Sequence, residues 1–301
     1  MIPGGLRSLL RWPSYRTQLW LMLLPFLGGT AVLVALPALL SAGLAFTAYD
    51  SLGPPVWTGF ANLRFVLNDP LTSIAVGNTI WFVVLAVPLR ILGALGLALL
   101  LNRERRGVGG YRSAAYLPTI IPDVAYALIW LWVFNPLFGP VNVLLDWLGL
   151  ETPGWVADEE TARYPFLVMS LFQIGEGFLI LLAGMRSTPR ELYDAVAVDG
   201  AGRLRAFRSI TLPLLVPWLL LLTVRDIIVV IQYPFAPTFL MTGGGPHYST
   251  LFLPYLIWEE AFERFRFGSG SLLMLATFLV TLALVAILFV VFRWRGYTDE
   301  A

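Results

Sequence analysis

The sequence contains no cysteine and no lysine, and it has one histidine, His247. Without cysteine there is no disulfide framework, no thiol nucleophile and no thiolate-held metal. A lone histidine excludes a metal site built on a histidine pair. The missing lysine removes the residue that reaches the phosphates in a Walker A loop, so the chain is not itself a P-loop ATPase; it also excludes Schiff-base chemistry. Charge is scarce as well: 13% of the 301 residues are charged, against 58% hydrophobic. That balance excludes an ordinary soluble domain, and the many apolar runs of about twenty residues read as membrane spans.

Six spans are expected, at about 19–48, 74–101, 114–134, 164–185, 212–231 and 271–292, in an all-α integral membrane domain covering 19–295. A segment 1–18 precedes it and a tail 296–301 follows. The first apolar run follows Arg7, Arg11 and Arg16 but is too long for a cleaved signal peptide, so it reads as a retained span. Pro25 and Pro37 are expected to kink or interrupt it. Pro118 and Pro122 together forbid one regular helix in span three. Between spans, 49–72, 135–163 and 232–270 read as external loops, with a short interfacial helix over 141–150. Trp57, Trp81, Trp130, Trp132, Trp147 and Trp155 fall near the expected interfaces, as belt residues do. Gly243-Gly-Gly-Pro246 follows no parallel strand and opens no helix, so it is a tight turn rather than a phosphate cradle.

The arginines set the orientation. They gather at the N-terminus, at 102–113, at 186–208 and at the C-terminus, while the intervening loops are mostly acidic. By the positive-inside rule both termini lie in the cytoplasm. Five charges, Arg90, Asp123, Glu176, Arg225 and Asp226, fall inside apolar runs. At about 1.5 Å per residue they lie roughly 14–20 Å from the cytoplasmic ends, close to one level. Charges at such depth face a cavity or one another. An ion-pair network follows, either lining a pathway or purely architectural.

The polar stretch 187–213 joins spans four and five. Thr188, Pro189 and Glu191 have the spacing of a capping box, with Thr188 as the cap. Leu192, Ala195 and Val196 then share a face, Asp199-Gly200 breaks the helix, and a second short basic helix follows. The residues alone allow either an ordinary basic loop or a helical elbow shaped to sit in a partner's groove.

Asp194-Ala-Val, then Gly200, Ile210, Leu212 and Pro213, stand at the spacing of the EAA loop of ABC-importer permeases, with Asp for Glu and Val for Ala. Asn62-Leu63, Asp69-Pro70, Asn78-Thr79, Pro118, Pro122 and Thr242-Gly-Gly-Gly-Pro246 extend the likeness over most of the chain from Trp57. The sequence thus resembles the binding-protein-dependent carbohydrate-uptake permeases of MalF/UgpA type. That resemblance implies a type I importer permease fold in the bacterial inner membrane, without catalytic residues or a bound cofactor or metal. It implies a second, homologous permease, two ATP-binding subunits carrying ATP and Mg²⁺, and an extracytoplasmic sugar-binding protein, with no nucleic acid. Glu191, Leu192, Asp194, Ala195, Val196, Asp199, Gly200, Ile210, Leu212 and Pro213 would couple to the ATPase. Asn78, Asp123, Gln173, Glu176, Gln232 and Tyr233 would lie along the substrate pathway. Two other classes compete. An ion-coupled secondary transporter would use Asp123, Glu176 and Asp226, but no inverted repeat is evident. A membrane-embedded enzyme would be left with carboxylate chemistry, and no paired acidic motif supports it.

Overall fold

The computed structural model describes residues 14–103 and 105–294. Arg7, Arg11, Arg295 and the tail 296–301 lie outside the described residues. Among the described residues, five helices are long and apolar enough to cross a membrane, and a bent helix pair makes six if it counts as one span.

The first, α1 (Tyr15–Leu44), is a single 30-residue helix despite its prolines. Ser14 caps it by accepting from the Thr17 N–H. Pro25 lies inside it, and a π-helical turn, Ala31–Ala35, precedes Pro37. The wider turn removes the clash and the missing donor that Pro37 would impose on a regular helix. The expected interruption is therefore absorbed. A two-stranded antiparallel hairpin, β1 (Thr47–Ala48) with β2 (Val56–Trp57), and α2 (Ala61–Asn68) follow. The Asn62 amide ties them together by donating to the Ala45 and Thr47 carbonyls, at 2.8 Å each.

Helix α3 (Pro70–Leu101) starts four residues before the expected span, because Asp69 caps the Leu71 N–H at 3.2 Å and Pro70 takes the first helical position. Its far end is closed by Arg112, whose Nε and Nη2 donate to the Leu101 carbonyl at 3.0 and 2.6 Å. Span three is the bent pair. α4 (Val108–Tyr116) runs into a 3₁₀ turn, Leu117–Ile120, and α5 (Asp123–Val133) leaves at 100° to it. Ile121, before Pro122, is forced to an extended ψ of 128°, which ends the first piece. The short helix expected over 141–150 is α6 and runs Pro140–Trp147.

Span four is also broken, into α7 (Arg163–Phe172) and α8 (Gly175–Ser187). The elbow helix is α9 (Arg190–Val198). α10 then runs 40 residues, Arg203–Thr242, with π-helical turns at Phe207–Thr211 and Thr238–Thr242. The segment 232–270 is thus not the loop its composition suggested. Pro234 and Pro237 each sit at the start of a new helical segment, where no donor is needed, so the helix continues past them. The chain turns at 243–252 and returns as α11 (Leu253–Trp258), extended by a π turn to Glu263, before α12 (Phe267–Trp294).

The bundle closes on α3, α8 and α10, through Ala94, Ala98, Phe178, Leu181, Leu215 and Leu222. Small residues let the backbones approach, as membrane packing requires. A Cβ on Gly177 would meet Leu222 at 2.9 Å, and one on Gly184 would meet the Trp218 ring at 2.7 Å. By contrast, α1 and α12 bury none of their most apolar windows and present them outward. Gly184→Ala should therefore destabilise the purified protein by about 1–3 kcal/mol through overpacking. Gly109→Ala, which meets open space, should leave the detergent melting temperature unchanged or higher.

Candidate functional site

The break in span four leaves carbonyls at the end of α7 without helical partners. Two neighbouring spans supply them. Tyr126 Oη on α5 donates to the Met169 carbonyl at 2.7 Å. Arg90, on α3 and 3% exposed, donates through Nη1 to the Ser170 carbonyl at 2.5 Å and through Nη2 to that of Gln173 at 3.1 Å. Its Nε pairs with Asp226 Oδ2 on α10 at 3.2 Å. The other Asp226 oxygen accepts from Arg225 Nη1 at 2.7 Å, and Arg225 also pairs with Glu176 at the start of α8. The result is a chain of charges, Arg90–Asp226–Arg225–Glu176, with two of each sign. Its inner end is buried, whereas Arg225 and Glu176 are 26% and 44% exposed. The buried end is a structural clasp; the exposed end presents charge to whatever occupies the space beside it.

Asp123 does not join this network. It is exposed at the N-terminus of α5, and among the described residues it forms no ion pair. It follows directly on the 100° bend, at the positive end of a helix dipole. The Tyr233 hydroxyl is buried with no hydrogen-bond partner among the described residues, and the ring stacks on Phe82 with centroids 6.0 Å apart. Gln173 is buried at the break, with its carbonyl held by Arg90. Gln232 is exposed and lines a separate apolar groove between α10 and α12, with Ile228, Met274 and Phe278.

Asn78 is a pin. Its amide donates to the Tyr248 and Leu251 carbonyls at 2.9 and 3.0 Å. Thr79 beside it accepts from the Leu253 N–H at 2.9 Å. Both fasten the 243–252 turn to α3. Within that turn Thr250 Oγ1 donates to the Gly245 carbonyl at 2.6 Å, while His247 stands exposed, 3.3 Å from Glu159.

The elbow differs from the expected capping box. Pro189, not Thr188, occupies the cap position of α9, and no side chain caps it. Thr188 Oγ1 turns back to the Gly184 carbonyl at the end of α8. Gly200 takes a left-handed φ of 74°, and the Ala201 N–H returns to the Val196 carbonyl, closing the helix in a glycine cap. Leu192, Val198 and Leu204 are exposed, as are Glu191, Asp194 and Asp199. Ile210 is buried in the π turn, and Leu212-Pro213 open the regular part of α10. Tyr193 Oη lies 3.1 Å from Thr211 Oγ1, which pins the elbow to α10.

Sequence reasoning missed two contacts. Arg163 stacks over Trp81 at 4.9 Å and reaches Asn78 Oδ1 at 3.5 Å. Glu260, read as part of an external acidic run, is 1% exposed and held by Arg264 and Ser269, each at 2.6 Å. Only the i,i+4 spacing of Glu260 and Arg264 hinted at the latter.

A six-element membrane bundle, clasped by charges at mid-depth and carrying an exposed helical elbow between spans four and five, is the build of a transport permease. Residues 90–299 match the family of binding-protein-dependent transport system inner membrane components, and the chain belongs to that family. It is 31% identical over 292 residues to the sulfoquinovosyl glycerol transport system permease protein SmoG of Agrobacterium fabrum, covering 95% of this chain and 94% of that one. It is 28% identical to the trehalose/maltose transport system permease protein MalF of Thermococcus litoralis, over 92% and 94% of the two chains. A chain in the crystal structure of a bacterial ABC transporter involved in the import of the acidic polysaccharide alginate superposes with a TM-score of 0.81 at 23% identity, over 92% of this chain and 95% of that one. The chain is therefore an inner-membrane permease subunit of an ABC importer, without catalytic activity of its own.

Removing one member of a buried pair costs about 3–5 kcal/mol. Arg90→Gln should be more damaging than Asp226→Asn, because it also orphans two carbonyls. Folded yield and melting temperature in detergent check this ordering; equal losses would show that the carbonyl bonds contribute nothing.

Proposed function

We propose that this chain is one half of the pathway of an ATP-driven sugar importer, switched between inward- and outward-open states by its elbow. One observation carries the coupling role. The elbow is joined through Tyr193–Thr211 and buried Ile210 to α10, and α10 also holds Arg225 and Asp226 at mid-depth. A displacement of the elbow is thus delivered along one helix to the charged network. Relatives whose names specify trehalose/maltose, sulfoquinovosyl glycerol and sn-glycerol-3-phosphate support a sugar or polyol derivative as cargo.

In this reading the exposed face of α9, with Leu192, Asp194 and Val198, seats in one of two ATP-binding subunits that carry ATP and Mg²⁺. A second permease completes the pathway, and an extracytoplasmic sugar-binding protein delivers the cargo. The Arg-rich side, with the elbow, faces the cytoplasm. ATP binding closes the ATPase pair and shifts the elbow, and the spans follow as rigid elements between two states. Glu176 and Arg225 border the pathway with Asp123, Gln173 and Tyr233, while Asn78 acts by fixing the outer turn.

The test uses the whole complex in proteoliposomes with labelled sugar and the cognate binding protein. Gly200→Val strains a left-handed position without filling a packed site, so transport should fall at least tenfold while the four membrane and ATPase subunits still assemble. Glu176→Gln should alter transport with assembly intact. Normal uptake in Gly200→Val would remove the coupling role, and normal uptake in Glu176→Gln would remove that residue from the pathway. Uptake driven by an ion gradient without ATP would overturn the importer reading altogether.

A further inference from the structure

Where α3 and α8 end and α9 begins, Asn102, Arg103, Arg186, Thr188, Arg190 and Tyr193 line a recess of about 530 Å³. With Met185 the lining has seven residues, three of them arginines, and no carboxylate lines it among the described residues. Arg103 and Arg190 are exposed and form no ion pair among the described residues. Neither is needed to close a helix. Arg112 already closes α3, and Ser187 and Thr188 already serve the Gly184 carbonyl of α8. The N-terminus of the nine-residue α9 also opens on this recess, with no side-chain cap, and adds its positive dipole end. The Arg103 and Arg190 guanidiniums and an uncapped helix start around one cavity form a receptor for a phosphate group.

The position selects the source of that phosphate. The recess lies at the ends of α3 and α8, two helices long and apolar enough to cross a membrane once α8 is taken with α7. Leu99 and Leu100, just before Asn102 on α3, are 40% and 74% exposed and offer apolar surface to an acyl chain. Basic pockets between spans at the Arg-rich face of a membrane protein suit anionic headgroups.

We propose that this recess binds the phosphodiester of an anionic phospholipid, which bridges the start of the elbow to the ends of α3 and α8. The lipid acts as a counter-ion for Arg103 and Arg190 and steadies α9 at its uncapped end. Binding itself is independent of the elbow's role; a consequence for transport rests on the coupling reading above.

The assembled complex is purified in mild detergent, and bound phosphatidylglycerol is counted by native mass spectrometry and lipid extraction. The wild type should retain phosphatidylglycerol that Arg103→Gln/Arg190→Gln loses several-fold, while Arg103→Lys/Arg190→Lys keeps it. Equal retention in the Gln variant overturns the proposal. A second arm adds inorganic phosphate to the wild type. Displacement of the lipid by phosphate at matched concentration would make this a soluble-anion site and sink the lipid assignment. Loss of ATPase subunits from the Gln variant with lipid retained would show a protein contact instead. Should the Gln variant not fold, a phosphatidylglycerol analogue carrying a headgroup photo-crosslinker is applied to the wild-type complex in nanodiscs. Labelling of peptides containing Arg103 or Arg186–Tyr193 is expected, and labelling confined to other regions overturns the proposal. Transport compared in proteoliposomes of phosphatidylcholine with and without phosphatidylglycerol separates the two readings: phosphatidylglycerol bound without any effect on transport leaves the site standing and removes only its coupling consequence.

Discussion

A guanidinium in the hydrocarbon layer has to be neutralised and fully hydrogen-bonded, and Arg90 meets that demand with groups from two other spans. Asp226 provides the countercharge, and the broken turn of span four provides two carbonyls. Each partner has its own reason to need Arg90. A buried aspartate alone is as costly as a buried arginine, and carbonyls freed by a helix break find no water in lipid. Three defects that would each be prohibitive thus cancel at one point. This fixes the relative height of α3, α7–α8 and α10 and lets span four open at Gln173 without exposing backbone to lipid.

The same logic runs through the other irregular places in the chain. Prolines do not simply end helices here. Pro37 follows a π turn, Pro213 follows another, and Pro234 and Pro237 begin new segments. In span three, where Ile121 is forced extended ahead of Pro122, the helix does bend, by 100°. The difference lies in whether the residue before the proline can stay helical. Tyr233 before Pro234 keeps φ −51° and ψ −43°, so α10 continues as one element from the elbow to the outer turn. Continuity gives that helix its mechanical meaning: its base carries the seat of the elbow and its middle carries Asp226.

Much of this was legible from residue types and spacing. The six apolar runs, the segregation of arginine, the depth-matched charges and the elbow's Asp194 to Pro213 pattern all follow from one-dimensional order. The errors have a common cause. Asp123 was grouped with the arginines by depth along a helix, but a right-angle bend changes direction and not sequence distance. Thr188 was read as a cap from its spacing to Glu191, yet its hydroxyl is taken by the helix before it. Glu260 looked like part of a solvated acidic run, and only the fold brings Ser269 and Arg264 around it.

What the sequence determined by itself was therefore which segments must enter lipid, which side of the bundle is basic, and which charges need partners, because burial cost and charge are properties of residue type. Only the tertiary structure decided which partners they have. Pairing depends on helix direction, on breaks at Gln173 and Ile121, and on glycine-permitted approach at Gly177 and Gly184, and those are settled between segments rather than within them.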